Sequence, residues 1–172
     1  MNWKKLEDEC FQITLNIIKS LLHAYKDDEL YALCLYTDSS AMTVSLSANS
    51  QKDLSQLMNL DEDNSQEIEN YYRWAFSEWA YDSYNSSEFS KISKILREDP
   101  SRDIDFDLFF TTLINSLTNV LFRVRNTEIE PLKQTIFFIS ITDNDDSESI
   151  ENDTAKLLNS QDGYCIFIAR YN

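Results

Sequence analysis

ELYALCLYTDSSAMTVSLSAN, residues 29–49, decides the fold. Its first ten residues carry strand formers on both faces, as a strand covered on two sides requires. After Ser39 and Ser40, Met42, Val44 and Leu46 alternate with Thr43, Ser45 and Ser47, the period-two pattern of a strand with one apolar face. The pair predicts a β-hairpin, with the first strand interior and the second nearer an edge.

Upstream, Trp3, Leu6, Cys10, Ile13, Ile17 and Leu21 recur at spacings of three and four, which predicts an amphipathic helix over 3–25. Downstream, 50–98 reads as helices broken by polar turns: QKDLSQLMNL, the acidic break DEDNS, EIENYYRWAFSEWAYDSY, and SSEFSKISKILRED after it. Ser65 is placed to cap the second of these, and Ser86 or Ser87 the third. Phe106, Phe109, Leu113, Leu117, Val120 and Val124 predict a long central helix over 103–126. QTIFFISIT, 134–142, is an almost unbroken apolar run and the best candidate for the middle of the sheet. A polar segment, 143–154, leads to a short helix around Ala155–Leu158, and the closing GYCIFIARY reads as a fourth strand. The expectation is one α/β (α+β) domain over 1–172, helix-rich, with a mainly antiparallel or mixed sheet of about four strands covered by helices.

Composition narrows function. Thirty acidic residues face fifteen basic ones, a formal net charge of -15, with one histidine and one glycine. That field repels nucleic acid and anionic membrane and attracts cationic partners. Solubility alone is the competing explanation of the charge. With Gly163 the only glycine, phosphate loops and dinucleotide fingerprints are excluded, because they need several. His23 alone supplies neither a paired-histidine metal motif nor a convincing catalytic triad. Cys10, Cys34 and Cys165 are widely spaced among apolar residues and read as reduced core thiols. With no apolar stretch of signal-peptide or membrane-spanning length, the expected location is the cytoplasm. No cofactor is expected.

The acidic clusters are the places to look for chemistry. Asp61, Asp63 and Ser65 have the odd-position spacing of a calcium loop, but Gln66 and Tyr72 stand where that loop needs Gly and Glu. Asp143, Asp145, Asp146 and Glu148 have the oxygen ligands for magnesium or calcium, yet without a second motif they read first as a solvated turn. Residues 61–69 hold five acidic and no basic residues, and 143–153 hold six and none. In YYRWAFSEWAYDSY, one helix cannot point Tyr71, Trp74, Trp79 and Tyr81 at a single core. Either some are exposed binding anchors or the helix bends to build a tertiary cluster, and a core role is preferred for Trp74 and Trp79.

LYALCLYTDSSAMTVSLSANS, RWAFSEWAY with Arg73, Trp74, Glu78 and Trp79, FFISITDNDDSES and AKLLN together resemble a family of small bacterial proteins of unassigned function. The resemblance spans most of the chain and implies the fold; the family has no established catalytic residues to carry over. Its usual pattern ends soon after the AKLLN-like segment, so GYCIFIARYN is an addition. By analogy of class, small acidic bacterial proteins of this size also resemble immunity partners of polymorphic and contact-dependent toxins. The expected function is non-catalytic neutralisation of a cognate basic, nuclease-type toxin domain by covering its active site. The expected contacts are Asp61, Glu62, Asp63, Glu67, Tyr71 and Tyr72, or Asp143, Asp145, Asp146 and Glu148. The alternatives are a housekeeping interaction module and a metal-dependent hydrolase.

Overall fold

A computed structural model describes residues 1–171. It contains β1 (Leu30–Asp38), β2 (Ser45–Ser50) and β3 (Ile136–Thr142), with α1 (Trp3–Ala24), α2 (Gln51–Leu60), α3 (Gln66–Trp74), α4 (Ser90–Glu98), α5 (Ser101–Ile104), α6 (Phe106–Arg125), α7 (Ser147–Leu158) and α8 (Gln161–Ile168). The sheet order is β2-β1-β3; β1 pairs antiparallel with β2 and parallel with β3. It is a helix-rich α+β fold around a mixed sheet.

Strand alternation sorts the side chains into two cores. Leu33, Leu35, Leu46, Ala48, Phe137, Ile139 and Ile141 join the large cluster built with α1, α4 and α6, where Leu6, Ile17, Leu21, Leu113, Leu117 and Val120 are buried. Ala32, Cys34, Ile136 and Phe138 face the other way and meet Trp74, Trp79 and Phe167 in a smaller cluster. Both apolar strands are therefore covered twice, as their sequences require.

Three strands form, not four. The expected fourth strand is α8, followed by a 3-10 turn over Ala169–Tyr171. The physical reason lies at the outer edge of β3, which side chains from α7 and its C-terminus already fill. Asn159 Oδ1 accepts from Phe137 N (2.8 Å), its Nδ2 donates to Phe137 O (2.7 Å), and Thr154 Oγ1 accepts from Ile139 N (3.0 Å). Those bonds satisfy edge groups that a fourth strand would have taken. The chain turns instead into α8, capped by Ser160 Oγ accepting from Gly163 N (3.2 Å). Of its apolar run only Phe167 is buried, and Cys165 is exposed rather than a core thiol; Cys10 and Cys34 are buried.

β1, not β3, is the middle strand, and β2 lies at the edge and starts only at Ser45. The residues before it are drawn away from the ladder by Asp38, whose carboxylate accepts from Ser40 N (2.9 Å), Met42 N (3.2 Å) and Thr43 Oγ1 (2.5 Å). Ala41 adopts φ 54° inside this turn. α1 and α6 form close to their expected bounds, with Asn2 and Asp105 as side-chain caps. Ser65 caps α3 through Ile68 N, but Ser86 and Ser87 cap nothing and lie within a 3-10 turn leading to α4. α7 begins at Ser147, inside the segment read as a polar connection.

Asp28, just before β1, supplies a pH dependence. Its side chain is 4% exposed and accepts from Tyr81 Oη (2.5 Å) and Lys52 Nζ (3.0 Å). The Tyr81 hydroxyl and then the Lys52 ammonium hold its carboxyl below the usual carboxylate range. A depressed folded value means the stabilisation is present above the unfolded value, about 3.9, and is lost as pH falls through the folded one. In urea unfolding, the stability gap between the parent and Asp28→Asn should be constant near neutrality and shrink below about pH 4. A gap as wide at about pH 2 as at about pH 7 would remove Asp28 from the acid response.

Candidate binding surface

The RWAFSEWAY segment builds the second core by ending a helix. Residues 74 and 79 stand about 140° apart on a continuous helix, so only one could reach the sheet. α3 instead stops at Trp74, and Ala75 and a 3-10 turn over Phe76–Glu78 swing Trp79 back underneath. The Arg73 carbonyl, left open at the helix end, accepts from both Trp79 Nε1 (3.1 Å) and Tyr31 Oη (2.9 Å). Trp74 packs edge-on against Phe167, and Trp79 against Phe138. Arg73 pairs with Glu69 (2.7 Å) and lies over the Tyr31 ring. The two tryptophans are core, and among the aromatics of 71–84 the exposed one is Tyr71.

Between α3 and the α7–α8 end lies a cleft of ≈ 690 Å³ lined by Glu67, Tyr71, Trp74, Phe76, Glu151 and Arg170, among others. A buried ion pair forms its floor. Glu151 accepts from Ser140 Oγ (2.5 Å) and Arg170 (3.1 Å), and Arg170 also donates to Asn152 Oδ1 (2.6 Å) and lies 3.9 Å from the Phe167 ring centre. Burial pushes the Glu151 carboxyl up, against the opposing pull of Ser140 and Arg170. Neither Glu151 nor Arg170 stood among the expected contacts; Glu151 lies inside the acidic run 143–153, and nothing local marks Arg170. A second depression, of ≈ 670 Å³, runs along α1, but its Lys4, Lys5, Lys91, Asp8 and Glu9 pair among themselves.

The expected contact residues fall into two places. Asp61 Oδ1 accepts from Asp63 N (2.9 Å) and Asp63 Oδ1 from Ser65 N (2.8 Å), two Asx turns in series that stiffen the α2–α3 loop. Tyr72 Oη donates to Asp61 (2.7 Å), which holds the Asp61 carboxyl down and raises the Tyr72 phenol. Tyr72 is thus half-buried and committed to the loop, whereas Glu62, Asp63, Glu67 and Tyr71 are exposed. Asp143, Asp145 and Asp146 form the loop after β3, with Asp143 at φ 56°, and Glu148 sits in the first turn of α7. All four are exposed. Glu67 and Tyr71 reach the cleft; the β3–α7 loop is not part of its lining.

Trp74, Trp79 and the acidic strand exit all lie inside a family match that covers residues 12–160, described as a domain of unknown function, DUF4303. The chain belongs to the DUF4303 family. No curated protein and no solved structure matches it. The DUF4303 match ends at Ser160, the cap of α8, so Thr154 and Asn159 lie within it and α8 with Arg170 beyond it. Among the described residues of this DUF4303 chain, no group of three or more His, Cys, Asp or Glu side chains is placed to hold a metal ion, and no helix is long and apolar enough to cross a membrane.

Proposed function

We propose that the chain is a cytoplasmic bacterial immunity protein that binds a cognate basic, nuclease-type toxin domain and covers its active site without chemistry of its own. The observation that carries this reading is where the unpaired acid lies. On α1, Glu7, Asp8 and Glu9 are neutralised by Lys4, Lys5, Lys91 and Arg123. Among the described residues, Glu69 is the one acid of 61–69 with an ion-pair partner, and Glu151 the one acid of 143–153. Glu62, Asp63 and Glu67, and Asp143, Asp145, Asp146 and Glu148, are exposed and present their charge outward, while the half-buried Asp61 spends its carboxylate on Asp63 N and Tyr72 Oη. Uneven fields of this kind steer a cationic partner into register. Tyr71, 52% exposed beside Glu67, offers an aromatic anchor of the type enriched at interface centres.

Coexpression with the product of the neighbouring reading frame tests the reading, scored for rescue of growth and a stable complex. The association rate should fall about tenfold or more between low and physiological salt. Converting Glu62, Asp63 and Glu67, or else Asp143, Asp145, Asp146 and Glu148, to their amides should slow association about tenfold while leaving the urea midpoint in place. A salt-insensitive rate, or no loss from either set, would sink the steering mechanism.

A further inference from the structure

DIDFDL, residues 103–108, alternates aspartate with large apolar side chains where α5 meets α6. Ile104 is 83% exposed, Leu108 64% and Phe106 38%. Exposed leucines scattered singly are ordinary, but three large apolar residues within five positions make a patch. Its local cause is the cap of α6. Asp105 is extended at φ -151° and accepts from Leu108 N, while Phe109 and Leu113 take the inward face and leave Ile104 and Leu108 outside.

Tertiary bonds place this corner beside charge. Arg102 Nε donates to Ser40 O (3.0 Å), and Ser39 N donates to Thr142 O (3.2 Å). The α5–α6 corner, the turn after β1 and the acidic loop after β3 therefore share the end of the sheet where the parallel strands β1 and β3 both finish. Arg97 and Arg102 at this end of the sheet are bound to the Met42 and Ser40 carbonyls, and Arg102 also lies over the Phe106 ring. Asp103 and Asp107 have no ion-pair partner among the described residues. Apolar anchors inside an acidic rim match the anatomy of a protein interface, in which a desolvated centre supplies affinity and a charged rim supplies orientation.

The geometry points to this corner as the apolar anchor of the partner surface: Ile104 and Leu108 enter an apolar patch of a basic protein whose lysines and arginines face Asp103, Asp107 and Asp143–Asp146. The inference rests on the acidic-binder reading above and adds where the partner is gripped. The test follows backbone amide resonances of the full chain while adding either an amphipathic leucine–lysine helical peptide or a serine–lysine peptide of equal charge. The leucine–lysine peptide should shift residues 102–108 and 143–146 and bind at least about tenfold more tightly, and Ile104→Ser with Leu108→Ser should abolish that difference. Both positions are exposed, so an unchanged urea midpoint verifies that the double variant is folded. Equal binding of the two peptides, or shifts confined to the α3 cleft, overturns the anchor and leaves the acidic-binder reading standing. Binding of neither peptide overturns both.

Discussion

Asn159→Ala should lower the unfolding free energy by about 3–5 kcal/mol, read as a large fall in the urea midpoint. The reason is the number of groups that one amide satisfies. Asn159 closes both backbone groups of Phe137, whose residue is fully buried, and it also donates to Ala155 O (2.8 Å) and accepts from Arg125 (2.9 Å). Each buried backbone group left open costs about 1–3 kcal/mol, and alanine opens two. Thr154→Val, which keeps the shape but removes the acceptor for Ile139 N, should cost about 1–3 kcal/mol and serves as the graded control. Hydrogen exchange at the Phe137 amide should accelerate in the first variant and at the Ile139 amide in the second. A loss below about 1 kcal/mol for Asn159→Ala would mean that water replaces the amide at the sheet edge and that the three-strand limit has another cause.

Arg125→Met should cost about 3 kcal/mol or more, and Arg125→Lys should recover less than half of it. The Arg125 guanidinium donates to Leu132 O (2.7 Å), Thr135 O (2.6 Å), Leu158 O (3.2 Å) and Asn159 Oδ1 (2.9 Å), with its plane over the Phe137 ring at 4.0 Å. It thereby ties the end of α6 to the open carbonyls ending α7 and to the turn that launches β3. A planar fork reaches acceptors in several directions at once, which a lysine ammonium cannot. Burial lowers the Arg125 pKa, yet the group stays charged at any working pH. Because Arg125 and Asn159 share a bond, their losses should not add: a double-mutant cycle should return a coupling of about 1 kcal/mol or more. Full stability in Arg125→Lys would show that the charge alone matters, and strict additivity that the Arg125–Asn159 bond contributes nothing.

These two residues act across the fold in a way their local sequence does not show. Arg125 stands at the end of a predicted helix, and Asn159 is the last residue of AKLLN. Nothing local says that they complete a sheet edge 22 residues away from Asn159, and GYCIFIARY, 163–171, reads as the strand that would do so. A short apolar run has no period long enough to separate a strand from a helix, and here the outer edge of β3 at Phe137 and Ile139 is already bonded by Asn159 and Thr154. The same limit applied to the surface. The runs at 61–69 and 143–153 are visible as charge, but the exposure of Ile104 and Leu108 depends on a cap, and the floor of the cleft on Arg170 meeting Glu151.

The residue pattern by itself determined the elements whose periodicity is long or whose apolar faces are unambiguous: α1, α6, the interior β1 and the doubly covered β3. It also determined the sign of the field and the absence of glycine-built phosphate sites. Tertiary structure alone decided the strand count, the central place of β1, the helical state of 161–168 and which carboxylates stay unpaired. The division has one physical cause. Burial periodicity is a property of neighbouring residues, whereas satisfying an edge amide, a helix-end carbonyl or a carboxylate depends on a side chain that arrives from elsewhere in the chain.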